Sequence, residues 1–123
     1  MNTKTINIQV LALLGDAVFS LYIREELLKQ GINHPQKLQQ KSIEFVSAKG
    51  QVKILNKLID KNILSEEELD IVKRGRNNKK ESHPKNTEIV TYKLSTGFEA
   101  LIGDLYLNNK DRLEEILKQI EVK

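Results

Sequence analysis

Two acidic residues stand where acids are costly. Between Lys4 and Arg24 the only side chain charged at neutral pH is Asp16, set among Leu11, Leu13, Leu14, Ala17, Val18, Leu21 and Ile23. From Leu94 to Asn109 only Glu99 and Asp104 carry charge, among Phe98, Leu101, Ile102, Leu105 and Tyr106. A carboxylate in apolar surroundings needs an ion pair, strong hydrogen bonds or a bound cation. Small residues flank both acids: Ala12, Gly15 and Ser20 near Asp16, Gly97 and Gly103 near Glu99. A glycine costs a helix about 1 kcal/mol relative to alanine, and close crossing with another helix offsets that cost. If the Gly15-Asp16 helix crosses the Glu99 helix, the two carboxylates converge on one hard cation such as Mg²⁺. Pairing with a buried Lys or Arg, or capping of a neighbouring helix, is the alternative for Asp16. Asp104 reads as a rim residue.

A third feature is basic. Lys73 to Lys85 reads KRGRNNKKESHPK, with six Lys/Arg against one Glu, while the rest of the chain holds 14 basic and 16 acidic residues. The net charge of +3 is thus concentrated in one stretch, which points to an anionic partner, nucleic acid first. A solvated charged loop is the plainer alternative. His34 and His83 have no partners at metal-ligand spacing. No Walker loop, HExxH or Gly-x-Ser-x-Gly elbow is present.

The elements that must position these residues read as helices, and the fold class is all-α. Dense apolar residues run from Ile6 to about Leu28 and stop at Gly31, a left-handed terminator. Apolar residues fall on nearly every face of this segment, which predicts a central, buried helix. Pro35 opens a second helix to about Val46. Ser47 caps a third, with Val52, Ile54, Leu55, Leu58 and Ile59 as its stripe. Ser65-Glu66-Glu67-Glu68 is a capping box for a fourth, closed by Gly75. A long helix follows from about Ile89 to Leu107, then an amphipathic one from about Lys110 to Ile120. With 123 residues, 39% hydrophobic and 30% charged, residues 1–123 read as a single domain. Zero cysteines exclude a disulfide framework and thiolate metal sites. The N-terminal apolar run, broken by Asn7, Gln9 and Asp16, excludes a signal peptide or membrane span and points to the cytoplasm.

Leu13-Leu14-Gly15-Asp16-Ala17-Val18-Phe19 resembles the signature segment of the ribonuclease III family, and Phe98-Glu99-Ala100-Leu101-Ile102-Gly103 resembles its second block. Val46-Ser47-Ala48-Lys49, Lys73-Arg74-Gly75-Arg76-Asn77 and Pro84-Lys85-Asn86-Thr87 leading to Thr91-Tyr92 and Ser95-Thr96 make the resemblance closest to the short Mini-III members. Five ordered blocks are far more specific than a Gly-Asp-Ala triplet. The resemblance implies a ribonuclease III-type catalytic domain of six to seven helices, homodimeric, without a separate double-stranded-RNA-binding domain. Asp16 and Glu99 match the family's catalytic, metal-binding acids. Typical full-length members carry further acids where this chain has Ala12 and Thr96, a loss shared with the short members. It leaves open how many ions each site holds.

The implied activity is metal-dependent endonucleolytic hydrolysis of double-stranded RNA, leaving 5′-phosphate and 3′-hydroxyl ends. Mg²⁺, with Mn²⁺ as a substitute, would activate water and stabilise the leaving oxygen. The implied substrate is the precursor of 23S ribosomal RNA, and an accessory ribosomal protein on it is left open. Arg74, Arg76, Lys79, Lys80 and Lys85 would meet phosphates, with Asn77 and Asn86 as polar contacts. A dimer would also cover apolar surface on the Leu13–Ile23 and Phe98–Leu107 segments. A catalytically inactive RNA-binding or ribosome-associated scaffold is the alternative, and a helical protein-interaction domain is a more distant one.

Overall fold

The computed structural model describes residues 1–78 and 88–123, so Lys79, Lys80, His83, Lys85 and Asn86 lie outside the described residues. The described residues form a 3-10 turn at Thr3–Thr5 and six helices: α1 (Ile8–Lys29), α2 (Pro35–Val46), α3 (Ala48–Asp60), α4 (Glu66–Arg76), α5 (Ile89–Asn108) and α6 (Lys110–Lys118). Local chemistry sets most of the ends. Asn7 accepts from the Gln9 amide at 2.7 Å to start α1, and Gly31, at φ +96°, follows its end. Pro35 is the first residue of α2. Ser47 accepts from the Gly50 amide at 3.1 Å. The Ser65 box is complete: its hydroxyl oxygen accepts from Glu68 N at 3.1 Å, and Glu68 Oε1 accepts from Ser65 N at 2.8 Å.

The central helix is α5 rather than α1. Its run from Ser95 to Leu105 is buried except for the half-buried Glu99, and it packs against α1, α3, α4, α6 and the 3-10 turn. Helix α1 buries Leu11, Ala12, Gly15, Phe19, Ile23 and Leu27. Its other side, Val10, Leu13, Leu21 and Leu28, is more than half exposed, with Leu13 at 72%. An all-round apolar helix was expected to be enclosed; here one face has no covering element among the described residues. The Phe98–Leu107 segment, by contrast, is largely enclosed by its own chain.

Glycines bring α5 this close to its neighbours. A Cβ on Gly15 would lie 1.8 Å from the Glu99 carbonyl oxygen, and one on Gly103 would lie 2.0 Å from that of Leu11. The crossing of α1 and α5 is therefore backbone against backbone. Gly97 serves a different crossing: its Cβ would meet Val72 O at 2.4 Å, and one on Gly75 would meet Gly97 Cα at 2.7 Å. Gly75 is thus a buried packing residue inside α4, one position before its last residue, rather than the terminator its sequence position suggested. Phe19 and Phe98 meet edge to face at 5.1 Å beneath the α1–α5 crossing.

A fork of charge pins α4 to α6. Arg112 donates Nε to Glu68 Oε2 and Nη2 to Glu68 Oε1, both at 2.8 Å, and Nη2 also reaches the Ile63 carbonyl at 2.7 Å. Hydrogen bonding from Arg112, outweighing the opposing effect of burial, holds the Glu68 carboxyl below the usual carboxylate range. A depressed carboxyl contributes stability above its unfolded pKa, and that stability is lost as pH falls through the folded value. Arg112→Ala should therefore cost about 2 kcal/mol at pH 7, less than the roughly 3–5 kcal/mol of a fully buried pair because Arg112 keeps some water contact. Urea unfolding should show the difference from native protein shrinking in acid.

Candidate active site

The α1–α5 crossing brings the two singled-out acids to one place. Gly15, next to Asp16, abuts the carbonyl of Glu99 itself. Asp16 and Glu99 line a single cleft of about 490 Å³ with Asn7, Val10, Ala12 and Leu13 of the first helix region and Tyr92 and Thr96 of α5. Asp16 is exposed and makes no ion pair or side-chain hydrogen bond among the described residues. The expectation of a buried carboxylate is corrected: α1 turns this part of its surface outward, so Asp16 meets solvent in the cleft. Pairing with a buried base and helix capping, the two alternatives for Asp16, are likewise absent among the described residues.

Glu99 is held differently. It is half-buried, and its Oε2 accepts from Gln51 Nε2 at 3.1 Å. Sequence reading passed over Gln51. Its signal was available: it heads the stripe Gln51, Leu55, Leu58 at helical spacing, a polar residue at a core position. That stripe differs from the expected one, for Ile59 faces outward and Val52 and Ile54 are only half-buried. Ala12 and Thr96, at the positions where the resemblance puts further acids in full-length members, do line the cleft; the Thr96 hydroxyl donates to Tyr92 O at 3.0 Å. Asp104 is not at a rim. It is buried on another turn of α5, where Asn108 Nδ2 donates to its Oδ1 at 3.4 Å and also contacts Thr3 Oγ1.

The donor chemistry fits a hard divalent cation. Two carboxylates face one solvent-filled cleft. Among the described residues no group of three or more His, Asp or Glu stands ready to ligate. Mg²⁺ suits such sparse sites, because it keeps several waters and completes its shell with one or two carboxylates and substrate phosphate oxygens.

Two basic surfaces lie outside the cleft's own lining. Lys73, Arg74 and Arg76 occupy the last turn of α4, with Asn77 as its C-cap, and Arg76 Nε donates to Asn77 Oδ1 at 3.3 Å. The Gly75–Gly97 contact places this turn beside α5 within one helical turn of Thr96 and Glu99. The second surface lies on α3, outside the Lys73–Lys85 stretch. Lys49, Lys53, Lys57 and Lys61 follow one another every four residues, are all exposed, and make no ion pair among the described residues. Lys49 and Lys53 flank a groove reaching Thr91 of α5. Like charges at this spacing cost a helix about 0.2–0.5 kcal/mol per pair.

Comparison with known proteins agrees with this geometry. The family model described as Ribonuclease III domain matches residues 9–110. The chain belongs to the ribonuclease III family. Its Mini-ribonuclease 3 relatives include that of Streptococcus pneumoniae, 42% identical over 118 residues, covering 95% of this chain and 92% of the relative. That of Brevibacillus brevis is 47% identical over 111 residues, covering 89% and 81%. A crystal structure of a protein from Fusobacterium nucleatum superposes with a TM-score of 0.81 at 33% identity, covering 97% of this chain and 95% of that one. The all-α ribonuclease III architecture expected from sequence, with six to seven helices, agrees with the six helices of the described residues. Among the described residues no helix is long and apolar enough to cross a membrane.

Proposed function

We propose that this chain is a metal-dependent endoribonuclease of double-stranded RNA, with Asp16 and Glu99 as its catalytic acids. The observation that carries the reading is the shared cleft: a backbone-fixed crossing brings two carboxylates, Asp16 without an ion pair among the described residues, into one cleft lining. A bound Mg²⁺, or Mn²⁺ in its place, would supply Lewis acidity and an activated water there. The chain's own work is to hold that ion and present it to a phosphodiester. Asp16, open to solvent, offers both oxygens. Glu99 faces the same cleft with its Oε2 held by the Gln51 amide. The basic turn of α4 and the lysine row of α3 would receive the phosphates, and Lys79, Lys80, Lys85 and Asn86 are further candidate RNA contacts that lie outside the described residues.

Duplex RNA is recognised through phosphates and 2′-hydroxyls rather than base edges, which suits a surface of lysines and arginines. Precursor 23S ribosomal RNA is the substrate we assign, on the likeness to Mini-ribonuclease 3 proteins. The exposed apolar stripe of α1, Val10 to Leu28, is the surface we assign to a homodimer contact, because the same helix carries Asp16.

End-labelled duplex RNA incubated with the protein and Mg²⁺ should be cut internally to products with 5′-phosphates, and excess chelator should stop cutting. Absence of cutting on every duplex and ribosomal precursor offered would reject the reading. Binding measured in chelator should weaken steeply with salt. Neutralising five phosphates gives a log–log slope of about −4 by analogy with duplex DNA. Replacing Lys53 and Lys57 with glutamine should flatten that slope by about 2.

A further inference from the structure

Gln51 is 1% exposed and sits on the first turns of α3, against the cleft wall. Its amide nitrogen donates twice, to the Val46 carbonyl at 3.2 Å and to Glu99 Oε2 at 3.1 Å. Its Oε1 is buried and has no hydrogen-bond partner among the described residues. An amide kept only to close the end of α2 would need one N–H. A buried acceptor left unmatched is costly, and an apolar side chain of similar size would avoid that cost. Retention of the amide therefore calls for a use of its second N–H, and that N–H goes to Glu99.

The geometry points to Gln51 as a positioning residue that fixes the Glu99 carboxylate for a divalent cation. The inference rests on the metal-site reading above. By donating to Oε2, the Gln51 N–H restrains the rotation of the Glu99 carboxylate. A neutral amide does this without competing for the cation, where a lysine would bring positive charge against it. The α2–α3 corner keeps the amide in place. Ser47 both ends α2 and caps α3, and a Cβ on Gly50 would lie 2.2 Å from the Glu44 carbonyl. Hydrogen-bonding partners behind metal ligands typically matter 10–100-fold for metal affinity.

The test is Mn²⁺ binding to the RNA-free protein, read by the relaxation of water protons, for native protein, Gln51→Met and Asp16→Asn. Gln51→Met should weaken Mn²⁺ binding about tenfold or more while the thermal midpoint moves little, and duplex affinity in chelator should stay native. Should Gln51→Met fail to fold, Gln51→Leu carries the same measurement. A core variant, Leu58→Ala, should lower the midpoint and leave Mn²⁺ affinity unchanged, which separates positioning from general softening. Native-like Mn²⁺ binding by a folded Gln51 variant overturns the inference and leaves the metal site standing. Failure of the native protein itself to bind Mn²⁺ overturns both.

Discussion

Asp16→Asn should bind duplex RNA as native protein does and cut it at least about a thousandfold more slowly. The variant keeps the shape of the side chain and removes its charge. Asp16 is exposed and makes no ion pair or side-chain hydrogen bond among the described residues, so little in the fold depends on it. What it loses is one of the two anionic ligands proposed for the metal. Metal stabilisation of a phosphoryl transition state is worth several kcal/mol, and each 1.36 kcal/mol is a factor of ten in rate. Loss of about 4 kcal/mol gives the thousandfold. Single-turnover cleavage with the variant in excess isolates chemistry from binding, and a gel-shift titration in chelator reports binding alone. A variant that cuts within tenfold of native would remove Asp16 from the chemistry. A native protein that binds duplex and never cuts would favour an RNA-binding scaffold, with Ala12 and Thr96 marking the missing acids.

Gly15→Ala should be the most damaging single-methyl change in the chain. Its Cβ would fall 1.8 Å from Glu99 O, 2.7 Å from Glu99 C and 2.8 Å from Gly103 N, all backbone atoms within helices. No rotamer change relieves such a contact, so α1 and α5 must separate. Forced overpacking of this kind costs about 3 kcal/mol or more. The separation also moves Asp16 away from Glu99, so cleavage should fall even at temperatures where the variant remains folded. Gly31→Ala is the control. Gly31 has φ +96° and nothing within 4 Å of its would-be Cβ, so only the backbone penalty of about 1 kcal/mol applies. Thermal unfolding and single-turnover cleavage of both variants, measured together, distinguish steric displacement from local strain. Equal losses in the two would contradict the backbone-contact account of the crossing.

The helices were legible because their ends carry short-range chemistry. Pro35, Ser47 and Ser65 act on amides within a turn of themselves, so their roles follow from neighbours in sequence. The pairing of Asp16 with Glu99 was legible for another reason: glycines beside both acids implied a close crossing. What sequence could not supply was which face of each helix is covered. Apolar density around Asp16 suggested enclosure, yet α1 leaves Leu13 and Leu21 in solvent, because coverage depends on where α2, α4 and α5 lie. Gly75 looked like a terminator because glycine serves both ends and crossings, and only the packing against Gly97 decides between them. The lysines of α3 escaped notice when charge was summed along segments instead of around a helix. Gln51 is the converse, a polar residue whose partner is 48 positions away.

The corner at Ser47 has a consequence for motion. One residue ends α2 and begins α3, and the Gly50 backbone is wedged against the carbonyls of Glu44 and Phe45. A hinge needs residues free to change φ and ψ, and none is spare here. This corner, which holds Gln51 against Glu99, is consequently not a gate. The conformational entropy of placing it is settled when the domain folds, and none is left to be surrendered when an ion or a phosphate arrives. Affinity on this side of the site is then a property of the folded ground state, in place before any ligand is met.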